Sequence, residues 1–208
     1  MFGNERYYSR RMKVSGLDTR VLYTLLVLLV ALGRLLELRI AKRNLRNLLA
    51  RGGIEAAPGH YPWMVLLHTA FLFGCVLEVW LLDRPFLPAL GIPMLLLTVM
   101  ATGLRYWVIS TLDGRWTTRI VVLPGASPVT GGPYRFLRHP NYLAVITEMF
   151  ALPLVHTAWI TALVFSLLNG LLLRTRIRAE EAALARVSDY GTVFAERSRL
   201  IPGAPERP

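Results

Sequence analysis

The chain holds a single cysteine, Cys75, in 208 residues. This excludes an internal disulfide and any cysteine-based metal cluster. Its four histidines are scattered, with no Cys/His spacing of the zinc-site kind, so no metal centre is expected. Acidic residues are scarce: 13 Asp and Glu stand against 24 Lys and Arg, a formal charge of +11. There is no Walker loop and no Gly-x-Gly-x-x-Gly turn. Internal repeats and low-complexity linkers are missing, which leaves 1–208 as one domain. The first apolar run lacks a small-residue cleavage pattern and is followed by a second basic stretch, so no removable signal peptide is expected.

Apolar residues are what the chain has in quantity. They make up 54% of it, and the mean hydropathy is +0.44. That balance points to an integral membrane protein. The positive charge fits contact with the anionic headgroups of membrane lipids. The basic residues flank apolar segments and build no separate soluble face, so nucleic acid is not an expected partner.

The fold expected is all-α, with about five transmembrane segments. Residues 1–20 form a basic tail, residues 21–109 three membrane segments, and residues 110–202 a polar loop, a helical hairpin and a C-terminal helix. Val21 to Leu38 is the first segment, continuing as helix past the bilayer through Arg39, Lys42, Arg43 and Arg46. Arg34 and Glu37 lie three apart on it and can pair. Tyr61 to Leu82 is the second segment, with His68 and Glu78 inside. Phe86 to Ile109 is the third, interrupted by Pro88 and Pro93 and ending near Arg105. Within the following loop, Thr117 to Leu123 suits a short extended piece. Tyr142 to Leu173 is too long for one span of ~20 residues and too short for two with a turn, so Pro153 divides it into a hairpin. Arg174 to Arg197 reads as a separate charged helix outside the bilayer. With five segments, the basic stretches 39–51, 115–138 and 174–197 share one side, the cytoplasmic one by the positive-inside rule. The N-terminal tail then lies opposite, despite its own arginines.

The segment from Thr130 to Tyr142 (Thr-Gly-Gly-Pro-Tyr-Arg-Phe-Leu-Arg-His-Pro-Asn-Tyr) is a polar, Gly/Pro-punctuated loop that enters a helix at Pro140. Polar groups gathered at a membrane boundary are costly unless they hold something. The hairpin that follows can bring this loop against Arg176 and Glu180, which share a helix face. Glu suits an ammonium and Arg a carboxylate, so together they suit a zwitterionic ligand. On an isolated helix the same two residues make only a surface ion pair. Glu148, inside the hairpin, must pair or touch the site. For His68 and Glu78, interhelical hydrogen bonding competes with lining a cavity.

Gly-Pro-Tyr, then Arg138-His139-Pro140-Asn141-Tyr142, then an apolar hairpin, then Arg176 with Glu180-Glu181, resembles the isoprenylcysteine carboxyl methyltransferase family, integral membrane enzymes akin to the phospholipid N-methyltransferases. The match in motifs runs from about Ser127 to Pro202. The resemblance implies a site for S-adenosyl-L-methionine on the cytoplasmic face of the cell membrane, with access from the bilayer for a lipophilic acceptor. It implies that Ser127, Pro128, Val129, Tyr134, His139, Pro140, Asn141 and Tyr142 cradle the cofactor. Glu180 would bind its amino group, and Arg176, with Glu148, would serve the acceptor. The acceptor would be an isoprenylcysteine-like carboxylate or a long-chain polyketide phenol or pyrone. Asn141 stands where eukaryotic members usually show Ser, and Phe194 where a second Tyr is common. Two other readings stand beside it: a membrane NADPH-dependent reductase of the sterol type, and a non-catalytic membrane protein.

Overall fold

In the computed structural model, which describes residues 13–14 and 17–201, the usual partition of side chains is inverted. Leu25, Leu28, Leu29 and Leu32 are exposed, whereas Glu37, Glu78, Arg105, Glu148 and Asn169 are buried. A protein in water would do the opposite. Lipid contact on the outside and polar pairing within is the arrangement of a multi-pass membrane protein. The basic tail read over residues 1–20 lies outside the described residues except for strands β1 (Lys13–Val14) and β2 (Leu17–Asp18), which pair with each other, and the first turn of α1. Pro202, the last residue of the expected C-terminal segment, also lies outside them.

Helix α1, Thr19–Ala50, is continuous for 32 residues, or about 48 Å at 1.5 Å per residue. Asp18 caps it by accepting from the Arg20 backbone N–H at 2.9 Å. Its buried positions Tyr23, Val27, Glu37, Ala41, Asn44 and Leu48 form one stripe at steps of three, four and ten. As expected, the helix runs beyond the bilayer through its basic residues. Helix α2 (Tyr61–Leu81) and helix α3 (Pro88–Leu112) follow, each with proline in its first turn, where a missing N–H costs little. Arg105 does not end α3: the helix carries on seven residues further, so this arginine is buried among helices. In the first turn of α3, Gly91 permits a close approach. A Cβ on it would lie 2.6 Å from the Val155 carbonyl oxygen at the far end of α4.

The extended piece expected near 117–123 is strand β4, Ile120–Val122, paired antiparallel with strand β3, Ile54–Ala56. Helix α4 spans Pro140–Leu154, and helix α5 spans Trp159–Val187. Two expectations need revision. The separate C-terminal helix does not exist: α5 runs through Arg174 without a break, because residues 171–187 hold no proline or glycine and are rich in Leu, Arg, Ala and Glu. Among the described residues only the short α6, Tyr190–Val193, follows it. Among the described residues four helices, against about five expected segments, are long and apolar enough to cross a membrane. At 15 residues, about 22 Å, α4 is shorter than the ~30 Å hydrocarbon layer.

One end of the bundle is tied by Arg20 with Asp83, by Thr157 Oγ1 donating to Pro85 O at 2.6 Å, and by Glu78, which accepts from the backbone of Thr161 at 2.6 Å and pairs with Arg84 at 2.8 Å. Glu78 is therefore an interhelical tie. The other end gathers the end of α1, the loop after α3, the start of α4 and the second half of α5. There Asn44 donates to Asp113 O and Trp116 O, and the backbone of Arg138 and His139 donates to Ser198 O and Arg199 O. An apolar core of Tyr23, Val27, Phe71, Cys75, Met149 and Leu152 lies between the ends.

Candidate active site

Two cavities meet at the basic end. The smaller, about 140 Å³, lies between the loop after β4, the end of α5 and α6. Ser127, Pro128, Val129, Tyr134, His139 and Glu180 line it, joined by Tyr190 and Phe194. The larger, about 570 Å³, runs from this end into the helices. Leu112, Tyr134, Arg138, His139 and Glu180 line both. Asn141, Tyr142 and Arg176 line the larger cavity alone, and Pro140 is buried at the start of α4. Six of the nine residues expected to hold a cofactor thus share one cavity, and two more face its neighbour.

The loop geometry explains why. Arg115 donates to Ser127 O at 2.7 Å and Arg197 to Tyr134 O at 2.8 Å, which fixes the two ends of the loop. Gly132 sits at φ +53°, a conformation costly for other residues, where a Cβ would lie 2.3 Å from Thr111 Oγ1. Its neighbour Gly131 has φ −81° and needs no such licence. Burial first, and then the charge of Glu180, pushes the Tyr134 phenol above its ordinary range.

The adjacent glutamates do different things. Glu181 is a clamp. Arg199 grips it with bonds of 2.8–3.1 Å, His139 Nε2 donates to it at 3.0 Å, and Arg138 approaches to 3.9 Å. Burial opposes its charge, but the bonds from His139 and Arg199 prevail and bring its pKa down to about 2. Glu180 accepts only from the Tyr142 hydroxyl, and no ion pair engages it among the described residues. The four-residue spacing of Arg176 and Glu180 does not produce a pair. Arg176 donates instead to Thr118 O at 3.0 Å, and its Nε is buried without a partner.

Deeper in the larger cavity is a group from three helices. Arg34 bonds Glu37 and Glu148, and Arg105 lies 3.7 Å from Glu37 and 3.9 Å from Glu148. The Arg34–Glu37 pair is the one the spacing allows. Arg34, Glu37, Arg105 and His68 line the cavity, whereas Glu148 stands behind them. Glu148 therefore positions the arginines from the rear and is not on the surface a substrate would meet. Arg105 and Trp116 are lining residues that the sequence reading did not single out. An arginine inside an apolar helix was the available signal for the first. Nothing local marked the second. Leu28 and Phe73 line the same cavity and are more than half exposed, so it opens towards lipid between α1 and α2.

The sequence model of the isoprenylcysteine carboxyl methyltransferase (ICMT) family matches residues 94–186, from α3 to the end of α5. The chain is similar to the uncharacterized protein YpbQ of Bacillus subtilis (strain 168), at 36% identity over 168 residues, 80% of this chain and 99% of that one. It is also similar to an uncharacterized protein of Haemophilus influenzae (strain ATCC 51907 / DSM 11121 / KW20 / Rd), at 30% identity over 155 residues, 74% and 90% of the two chains. The matched span carries the loop, the hairpin, Arg176 and Glu180, and on that ground the chain belongs to the isoprenylcysteine carboxyl methyltransferase family, a family of membrane methyltransferases.

Proposed function

We propose that the protein transfers a methyl group from S-adenosyl-L-methionine to an oxygen of a lipophilic acceptor that enters from the bilayer. The observation that carries this reading is Glu180. It is a carboxylate on the wall of both cavities, held by one hydroxyl and, among the described residues, by no cation. An ammonium group is the complement such a carboxylate lacks. The remaining walls fit the rest of the cofactor. Tyr190 OH and Asn141 Oδ1 are buried without partners, and Phe194 offers an aromatic face beside Tyr190, 4.8 Å between ring centres. Glu180 would hold the amino group, residues 127–129 with Tyr134 and Tyr190 the remainder, and Asn141 a polar atom at the junction.

When bound, S-adenosyl-L-methionine supplies an activated methyl on a positively charged sulfur. The protein's part is then alignment and exclusion of water. Arg176 projects into the acceptor cavity with an unused N–H and orients an oxygen there, either the carboxylate of an isoprenylcysteine-like molecule or the phenol or enol of a long-chain polyketide phenol or pyrone. The lipid-side opening supports a lipophilic acceptor. The exposed Arg39, Lys42, Arg43, Arg46, Arg174 and Arg178 lie towards the end that holds the cavities, which supports placing it on the cytoplasmic face of the cell membrane. Family membership favours this reading over the reductase.

Thermal unfolding in detergent tests it. At ~100-fold excess over its dissociation constant, S-adenosylhomocysteine should add about 2.7 kcal/mol of apparent stability, and NADPH nothing. Stabilisation by NADPH alone would overturn the assignment.

A further inference from the structure

We propose that His68 and Arg105 form a hydroxyl-reading site in the acceptor cavity, and that His68 Nε2 takes the proton of the hydroxyl that is methylated. The second half rests on the methyltransferase reading above; the first half is a statement about binding alone.

His68 lines the larger cavity from α2, and its Nδ1 lies 2.8 Å from Met64 O. A carbonyl oxygen brings no proton, so Nδ1 carries one and donates it. In the neutral ring Nε2 is then a hydrogen-bond acceptor. It has no protein partner among the described residues. Arg105 lines the same cavity, is 6% exposed, and leaves Nε and Nη2 without hydrogen-bond partners among the described residues. Its two carboxylate neighbours stand at 3.7 and 3.9 Å because Arg34 bonds both of them. The spare donors belong to Arg105 and the spare acceptor to His68, and both side chains line the one cavity together with Arg34 and Glu37.

The ligand chemistry follows. Arg34 and Arg105 balance Glu37 and Glu148, so the cluster is neutral. An anion entering it would gain no net charge partner and would be desolvated. A carboxylate would also set a lone pair against that of Nε2. A hydroxyl satisfies both groups, donating to Nε2 and accepting from Arg105. The site is also within reach of the cofactor end. Arg105 is seven residues along α3 from Leu112, which lines both cavities, and Glu148 is six along α4 from Tyr142. The two routes give about 10.5 and 9 Å.

In the transfer the O–H bond breaks and its electron pair forms the new O–C bond. The methyl's bond to sulfur breaks, its pair leaving with the now neutral thioether. The proton goes to His68 Nε2, so the positive charge passes to the imidazole, where Glu148 and Glu37 offset it. The class of acceptor this site fits is therefore a lipophilic phenol or enol, a protic oxygen that must lose a proton, in preference to a carboxylate.

The test uses cofactor-free protein in lipid nanodiscs with 4-dodecylphenol and its methyl ether, 4-dodecylanisole, as probes. Calorimetry should show the phenol bound about tenfold more tightly than the ether, which cannot donate. His68→Phe should remove that preference, with His68→Leu as a second apolar variant and circular dichroism to confirm folding. His68→Gln keeps an acceptor atom and should keep the preference. With methyl donor added, His68→Gln should lower turnover about a hundredfold and erase the acid limb of the kcat/KM profile, the charged groups of the neighbouring cluster being Arg34, Glu37, Arg105 and, behind them, Glu148. Equal binding of the two probes by the native protein, or a preference that survives both apolar variants, would overturn the site. Native turnover in His68→Gln would overturn the proton transfer. A phenol preference lost in the apolar variants, with no methyl transfer to any acceptor, would uphold the site and count against the methyltransferase reading.

Discussion

Glu180 and Glu181 are neighbours of one residue type with opposite surroundings, and the difference is measurable. Glu181 serves the fold. Its carboxyl, held at about 2 against an ordinary 4.5, contributes stability that is complete above pH 4.5 and lost as pH falls towards 2. Solvent screens this half-buried group, so the native protein should lose about 1–2 kcal/mol between those limits through it, a loss that Glu181→Gln should not show. Glu181→Gln should leave cofactor affinity within a few-fold of native, whereas Glu180→Gln should weaken it about tenfold or more. Titration calorimetry and acid unfolding together check the pair; equal effects of the two changes on affinity would contradict the division. The sequence singled out Glu180 because it shares a helix face with Arg176, and the structure places it on the wall of both cavities without pairing the two. The partners of each residue were not legible in the sequence. Thr118 O for Arg176, and Arg199 for Glu181, come from loops whose path no helical spacing encodes.

At the scale of elements, hydropathy located α1, α2 and α3 well, since long apolar runs in lipid admit little besides helix. The division of the C-terminal half was harder. Charge density at Arg174 reads as a boundary, but helices end at caps and breakers, not at a change from apolar to charged residues. The loop from 113 to 139 depends on a conformation that sequence only hints at. Gly131 and Gly132 look alike in the chain, yet only Gly132 is left-handed and pressed on Thr111. Gly132→Ala should cost about 1–2 kcal/mol and weaken cofactor binding through displaced Tyr134, while Gly131→Ala should be nearly silent. Melting midpoints of the two variants decide this; a silent Gly132→Ala would mean that the loop is held by other contacts.

For the whole molecule, the polar cluster inside the helices is the feature least visible beforehand. Arg34, Arg105 and Glu148 come from α1, α3 and α4, and their meeting depends on how three helices turn about their axes. An isolated charge in a membrane helix announces that a partner exists, not which one. The resulting architecture joins an opening to lipid, a cavity of about 570 Å³ and a second of about 140 Å³ through one shared wall. That continuity is what a transfer between a lipophilic acceptor and a polar donor requires. The measurement that tests it most directly is transfer of isotopically labelled methyl from S-adenosyl-L-methionine to molecules in a lipid extract, by native protein and by Arg176→Lys, with cofactor binding measured alongside. Arg176→Lys keeps the charge but loses the planar fork that orients an oxygen. The account predicts label in a lipophilic product with native protein, and roughly a tenfold or greater loss in Arg176→Lys at unchanged cofactor affinity. No labelled product from native protein that binds the cofactor would contradict it.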